Sequence, residues 1–465
     1  MARARRSVVI LCAGLAALGP GLPAAAQEAG SLTDAAASGS VVTTDPAAVA
    51  APLALPLRGT LNAAPPNSVV RPVQSAVRPA GRVDTLRSFA EDPADADPYA
   101  PLGLRLGSFV IAPEVSSRIV HTDNGTGASD GEPASFVATD ASVALRSAWE
   151  RHALALSIRG GFTEYLSGGL SEDPSFGTDV EGRIDLTEVD RIDLGAGYSI
   201  RAEDLSSDDV PAGSSSAPTI EVLSGTAGFT RNAGLIGMAL KGSVDRSIYG
   251  ASADFDSAAR TNTAVAGSLR LSLDSGAAIM PFVEGGLFRR YYDRDDAGVS
   301  RDGAGWEIKG GVAVDTGLVA GELAAGYAVE RFDDASLADL RGFLVDGSLA
   351  WRPTELVTLS LSADTSFAPT TLSGASGSVV SSLDWELSYL FRPNVTFTLG
   401  AGLTRQDYAG IDRTVDGWSL SAGTAWRLNR SLELTTTVRH ERSNSSEAGD
   451  DSRETRIEAG LTLRR

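Results

Sequence analysis

The residues with the most chemical potential are few and scattered. Three histidines, His121, His152 and His440, stand far apart in a chain of 465 residues. The one cysteine, Cys12, falls in an apolar stretch near the start. No His-x-x-x-His pair, Gly-x-Ser-x-Gly elbow or phosphate-binding loop stands in a strand–turn–helix setting. Asp-rich segments such as Asp208-Asp209 and Asp293-Arg294-Asp295-Asp296 lack the spacing of a calcium loop. The expectation is therefore no catalytic set, no cofactor, no metal site, and a protein that is not an enzyme. Ordinary charge is more informative. Charged residues make up 21% of the chain and recur at alternate positions among Gly, Ser and Thr. Residues of that kind line a hydrated passage and tune which solutes enter it.

Alternation implies strands. In Val357-Thr358-Leu359-Ser360-Leu361-Ser362-Ala363-Asp364 one face carries Val357, Leu359, Leu361 and Ala363, extended by Phe367. The other carries Thr358, Ser360, Ser362 and Asp364. Leu154–Arg159, Leu269–Asp274 and Leu432–Arg439 split the same way. Successive side chains point to opposite faces of a strand, so each segment has one apolar and one wet face. The small residues of the polar face suit a water-filled lumen better than a protein core. That face supplies the candidate pore-lining residues: Arg118, Asp140, Arg146, Arg159, Glu181, Arg183, Asp193, Arg201, Lys241, Arg270, Glu307, Lys309, Glu322, Asp346, Asp384, Glu386, Glu433, Arg439 and Arg456. Most of them have a plain structural role in stabilising a wall that faces water. Trp149, Trp351, Trp418, Trp426, Tyr291 and Tyr408 sit near strand ends and are candidates for an aromatic girdle at the membrane rims.

The elements that hold these residues divide the chain in three. Residues 1–26 read as a signal peptide: Arg3, Arg5 and Arg6, an apolar run from Val8 to Leu18, and Ala24-Ala25-Ala26 before Gln27. Residues 27–100 are rich in Ala and Pro without a period and read as a disordered periplasmic tail or linker. Residues 101–465 hold about 18 alternating segments, starting near Gly107, Ser135, Arg151, Phe176, Arg191, Thr219, Leu235, Arg260, Ala277, Gly303, Leu318, Leu340, Thr354, Ser378, Asn394, Thr414, Ser431 and Asp451. Short turns alternate with long connections throughout, and both ends fall on the short-turn side. That is the arrangement of an all-β, transmembrane, antiparallel up-and-down barrel of the outer membrane. No later segment is long and apolar enough to be a spanning helix. The net charge of −19 argues against nucleic acid.

The order Asp97-Pro98-Tyr99-Ala100-Pro101-Leu102-Gly103-Leu104-Arg105-Leu106-Gly107-Ser108-Phe109, then Ile192-Asp193-Leu194-Gly195-Ala196-Gly197-Tyr198, then Pro281-Phe282-Val283-Glu284-Gly285-Gly286 resembles the putative β-barrel porins, an outer-membrane β-barrel family of α-proteobacteria. The resemblance covers about residues 95–465. It implies an outer-membrane barrel and supplies no catalytic residues. It also keeps open a link with exopolysaccharide secretion. Such barrels usually end on an aromatic, whereas Gly460-Leu461-Thr462-Leu463-Arg464-Arg465 ends on arginine. The functional expectation is a porin-like channel for passive diffusion of small solutes. The alternatives are an export or accessory barrel for exopolysaccharide and a non-conducting anchoring barrel. The expected partners are outer-membrane lipid, the barrel-assembly machinery and a periplasmic polysaccharide-export partner.

Overall fold

A chain that alternates apolar and small polar residues gains from extended backbone only if each face meets its own medium. The computed structural model describes residues 98–465, apart from 128, 130, 169–172, 204–206, 208, 211–217, 252–256 and 296–297. The expected signal peptide and the tail as far as residue 97 lie outside the described residues. The strands are β1 (Leu104–Leu106), β2 (Phe109–Thr122), β3 (Ala134–Ser147), β4 (Ala153–Ser167), β5 (Asp173–Asp185), β6 (Asp190–Ala202), β7 (Thr219–Ala233), β8 (Ile236–Tyr249), β9 (Asn262–Leu273) and β10 (Ile279–Tyr292). They continue with β11 (Gly303–Asp315), β12 (Val319–Phe332), β13 (Leu340–Thr354), β14 (Val357–Ala368), β15 (Gly377–Arg392), β16 (Val395–Ala409), β17 (Thr414–Arg427), β18 (Leu432–Ser445) and β19 (Ser452–Arg464).

From β2 onward each strand pairs antiparallel with the next, and β19 pairs with β2, so 18 strands close into a barrel. The β19–β2 pairing runs from Arg456 opposite Thr122 to Arg464 opposite Glu114. Below it, β1 takes the free edge of β2, with Leu104 opposite Ile111 and Leu106 opposite Phe109. The final N–H, of Arg465, donates to the Pro113 carbonyl at 3.1 Å. The seam is thus covered by both ends of the barrel chain, which leaves little unpaired edge. Strand starts expected from alternation fall within three residues of those observed.

The connections at one end are short, such as 234–235 between β7 and β8 and 316–318 between β11 and β12. Gly317 has a φ of +79°, and its N–H donates to Asp315 Oδ1 at 3.0 Å, a turn that an L side chain would strain. The long connections gather at the opposite end, with residues 203–218 the longest. Long connections are the extracellular ones in outer-membrane barrels, so this end is called the outer mouth.

Cross-strand partners share a face, so the pairing register carries the inner and outer surfaces round the whole ring. One surface bears the exposed large apolar side chains, among them Leu287 at 72% and Phe343 at 68% exposure. The other bears buried charges such as Arg118, Glu307 and Arg456. Apolar outside and polar inside is the inverse of a soluble sandwich, and it fits a wall standing in lipid.

One hairpin departs from the cylinder. The β13–β14 ladder stops at Gly347 opposite Ala363, whereas β14 and β15 stay paired up to Ala368 opposite Ser378. Phe367 stands on the outward face of β14 yet is only 5% exposed. It packs with Ala328, Leu340 and Leu344, and Phe288, Phe332 and Val379 border the cluster. Of these, Ala328, Leu340 and Leu344 are on the inner face of β12 and β13. A Cβ on Gly342 would lie 3.5 Å from Phe367 and 3.4 Å from Val379. The outer half of the β14–β15 hairpin therefore leans into the barrel and lays its back against the inner wall.

Candidate functional site: the lumen and its outer mouth

Register places all the candidate pore-lining residues at inward-facing positions. Arg118, Asp140, Arg146 and Arg159 lie on β2–β4. Glu181, Arg183, Asp193 and Arg201 lie on β5 and β6. Lys241, Arg270, Glu307, Lys309, Glu322 and Asp346 follow on β8, β9 and β11–β13. Asp384 and Glu386 are on β15, and Glu433, Arg439 and Arg456 on β18 and β19. Many meet as ion pairs across or along the wall. Arg118 reaches Asp140 at 2.9 Å and Glu458 at 3.7 Å. Arg159 pairs with Asp179, Arg439 with Glu441, and Arg456 with Glu454. Glu433 pairs with Arg464 at 3.0 Å, both almost wholly buried. The penultimate arginine thus faces inward and neutralises a buried carboxylate.

The wall from β9 to β13 is densely built. Arg270 crosses to Glu322 on β12 at 2.8 Å, and Lys309 on β11 reaches Asp346 on β13 at 2.9 Å. Glu284 stands in register between Arg270 and Lys309. Phe282 points inward beneath the Arg270 guanidinium, whose carbon is 3.5 Å from the ring centroid. Phe282 lies over Gly311 and Phe288 over Gly305, so closely that a Cβ on either glycine would collide with the ring. Aromatic rings that cover glycines of the next strand pin register in curved sheets. These inward phenylalanines were not expected. The signal for them was present, since Phe282, Glu284 and Phe288 share one parity.

The inner surface of β14–β17 differs in kind. Its inward charged residues above Arg427 are all acids, Asp364, Asp384 and Glu386, set among Ser, Thr and Gly. Asp384 is exposed, and on the far side of the ring the Arg159 side chain is 61% exposed and Asp179 44%. Inward-facing side chains this open to solvent border a water-accessible space at mid-height.

At the outer mouth, connections from across the ring converge. Asp209, in the β6–β7 connection, accepts from Thr370 Oγ1 and from the Thr371 N–H, each at 2.8 Å. Thr370 and Thr371 belong to the β14–β15 connection, almost diametrically opposite. Arg260, at the end of the β8–β9 connection, holds Glu203 through two hydrogen bonds of 2.7 and 2.6 Å. It also lies 3.6 Å from Asp209 and stacks on Tyr249 at 4.2 Å. Burial works against the Arg260 charge. The bonds to Glu203 and the nearby Asp209 outweigh it and hold the guanidinium above its ordinary range. Arg301, from the β10–β11 connection, donates to the Thr370 and Ala375 carbonyls at 2.8 and 2.9 Å. Four connections thus lock together across the opening.

The aromatic candidates divide. Trp351, Trp418, Trp426 and Tyr291 are on the outward face, and Trp149 donates to Ser108 Oγ at 3.1 Å in the short-turn region. Tyr408 does not belong with them. Its parity is inward, opposite Ser378, and it is buried with Ala375 and Val415 under the mouth connections. Its position beside a long connection was compatible with either face, and the register decides it. The three histidines do not form a site. His121 and His440 face outward on β2 and β18, and His152 sits in a turn against Asp185. Among the described residues no group of His, Cys, Asp and Glu is arranged to hold a metal ion.

Several solved structures are similar in outline. The siderophore receptor PirA of Pseudomonas aeruginosa aligns with a TM-score of 0.38 at 8% identity, covering 76% of this chain and 80% of its own. The outer membrane protein OpdK of Pseudomonas aeruginosa gives 0.41 at 12% identity, covering 76% and 99%. The iron transporter FrpB of Neisseria meningitidis gives 0.43 at 10% identity, covering 74% and 62%. A comparison with curated proteins finds no match. A family model does match, over residues 97–465, which is the whole barrel with its entry segment. This closed, outward-apolar barrel belongs to the family described as Putative beta-barrel porin 2.

Proposed function

We propose that the protein is a porin-like channel of the outer membrane that passes small solutes by passive diffusion, with a weak preference for cations. The observation that carries this reading is the solvent exposure of Asp384, Arg159 and Asp179, all inward-facing at mid-height. Eighteen strands make a ring wider than its own side chains fill. The preference follows from the β14–β17 sector, whose inward charged residues above Arg427 are the acids Asp364, Asp384 and Glu386. The locked outer mouth favours small solutes over a polymer, because the Asp209–Thr370 contact joins connections from nearly opposite sides of the ring. The family and the polar lumen support a channel rather than a catalyst. Planar-bilayer recording of the full-length protein tests the reading. Discrete conductance steps with a cation-leaning reversal potential in a salt gradient are expected. Absence of conductance, in the full chain and in a form lacking residues 27–97, would sink it.

A further inference from the structure

The outer rim of the lipid-facing surface carries arginines at matching heights. Arg246, Arg289 and Arg405 are each the eleventh residue of a rising strand, and Arg442 is the eleventh of β18. Arg341 and Arg453 are each the second residue of a descending one. Most have an aspartate beside them. Arg246 binds Asp293, whose carboxyl this bond holds below its ordinary range. Arg289 lies 3.0 Å from Asp333, Arg341 2.8 Å from Asp339, and Arg405 3.0 Å from Asp407.

Arg442 and Arg453 are the exception. They are exposed and stand directly opposite each other on β18 and β19. Neither forms an ion pair among the described residues, and Arg442 donates only to Asn444 Oδ1 at 3.0 Å. The acids on either flank are engaged elsewhere: Asp416 with Arg405 at 3.3 Å, and Asp123 with the Thr455 N–H at 2.6 Å. Like charges directly opposite on a sheet repel. The backbone nonetheless fixes this pair, since Asn124 Nδ2 donates to the Arg453 carbonyl at 3.0 Å. Beside them on the same face are Trp418 and His440, with ring centroids 5.3 Å apart. Directly below lies exposed apolar wall: Leu420, Val438, Ile457 and Leu461.

We infer that Arg442 and Arg453 form a site for the phosphate headgroup of an outer-leaflet lipid. Two exposed guanidiniums held opposite each other without a carboxylate concentrate positive charge that an anion from outside the chain would neutralise, and paired arginine forks match phosphate oxygens. Trp418 suits the headgroup level, and the apolar wall beneath would take the acyl chains. A phosphorylated lipid satisfies both halves of the patch; a soluble anion satisfies one.

The test uses the full chain purified in neutral detergent. It is titrated separately with diphosphoryl lipid A, the same lipid dephosphorylated, and inorganic phosphate, and bound lipid is counted by native mass spectrometry. Diphosphoryl lipid A should be retained at least about tenfold more tightly than the dephosphorylated form, and inorganic phosphate should displace it poorly. The double variant Arg442→Gln/Arg453→Gln should lose that advantage, while Arg341→Gln, at an aspartate-paired rim arginine, should keep it. Heat-modified migration on gels checks that each barrel is folded. Equal retention of the two lipids by the unmodified protein would overturn the inference without recourse to any variant. So would an undiminished preference in the folded double variant, or ready displacement by phosphate alone.

Discussion

A single step along a strand changes the medium a side chain meets. Leu361 shares the outward face with Leu349 and Trp385, and Ser360 shares the inward face with Ala350 and Glu386. Leu361→Arg should therefore cost about 2–4 kcal/mol in a bilayer, and Ser360→Arg little. Urea unfolding of the refolded barrel in vesicles measures the difference, and equal costs would mean that both faces are enclosed in protein. At the mouth the decisive residue is Glu203. Glu203→Gln leaves the buried Arg260 guanidinium with Asp209 as its nearest carboxylate. Removing the charge of one partner of a buried pair typically costs about 3 kcal/mol. That loss should appear as faster amide exchange in the connections that carry Glu203 and Arg260, with the strand ladders unchanged. Unaltered exchange there would show that the lock does not hold the mouth.

Strands and their order were legible from the sequence because period-2 alternation is dictated residue by residue in a lipid-embedded wall. The segment expected near Thr414 begins there, and inward parity holds from Arg118 to Arg456. The inward lean of the β14–β15 hairpin was not legible. Phe367 obeys the alternation and reads as lipid-facing; only the loss of the β13–β14 ladder above Ala363 turns its face onto Leu340 and Leu344. Tyr408 misled for a related reason, since an aromatic near a long connection suits a membrane rim or the underside of a lid equally well. The mouth lock was out of reach too, because it joins Asp209 to Thr370 and Glu203 to Arg260, contacts that no local pattern encodes. The hairpin makes its own prediction. Phe367→Ala removes the ring that packs on the inner wall and should cost about 3–5 kcal/mol in that cluster. Because β13 and β14 stay paired below Gly347 and Ala363, away from Phe367, the barrel should remain closed. Proteolysis or amide exchange at the β14–β15 connection should rise while resistance to sodium dodecyl sulfate unfolding persists. Collapse of the whole barrel would mean that the hairpin is part of the closing wall.

At the scale of the molecule the inner surface is electrically lopsided. The β9–β13 wall interleaves its carboxylates with bases, Arg270 with Glu322 and Lys309 with Asp346. In the β14–β17 sector the inward charged residues above Arg427 are the acids Asp364, Asp384 and Glu386. Most of the side chains around them are Ser, Thr and Gly, which line a path without filling it. A cation crossing mid-height should therefore run nearer β14–β17, and an anion nearer Arg159 on β4. The double variant Asp384→Asn/Glu386→Gln should then move the reversal potential in a potassium chloride gradient towards zero or past it. The conductance itself should change little, since volumes are kept. Neutralising Arg159 should move the potential the opposite way. Salt matters to the size of both effects: at about 1 M the Debye length shrinks to roughly 3 Å, so the shifts should be largest in dilute salt. A reversal potential indifferent to both sets of substitutions at low ionic strength would mean that ions do not pass between these two walls. The solvent-exposed Arg159, Asp179 and Asp384 would then border a closed chamber rather than a passage.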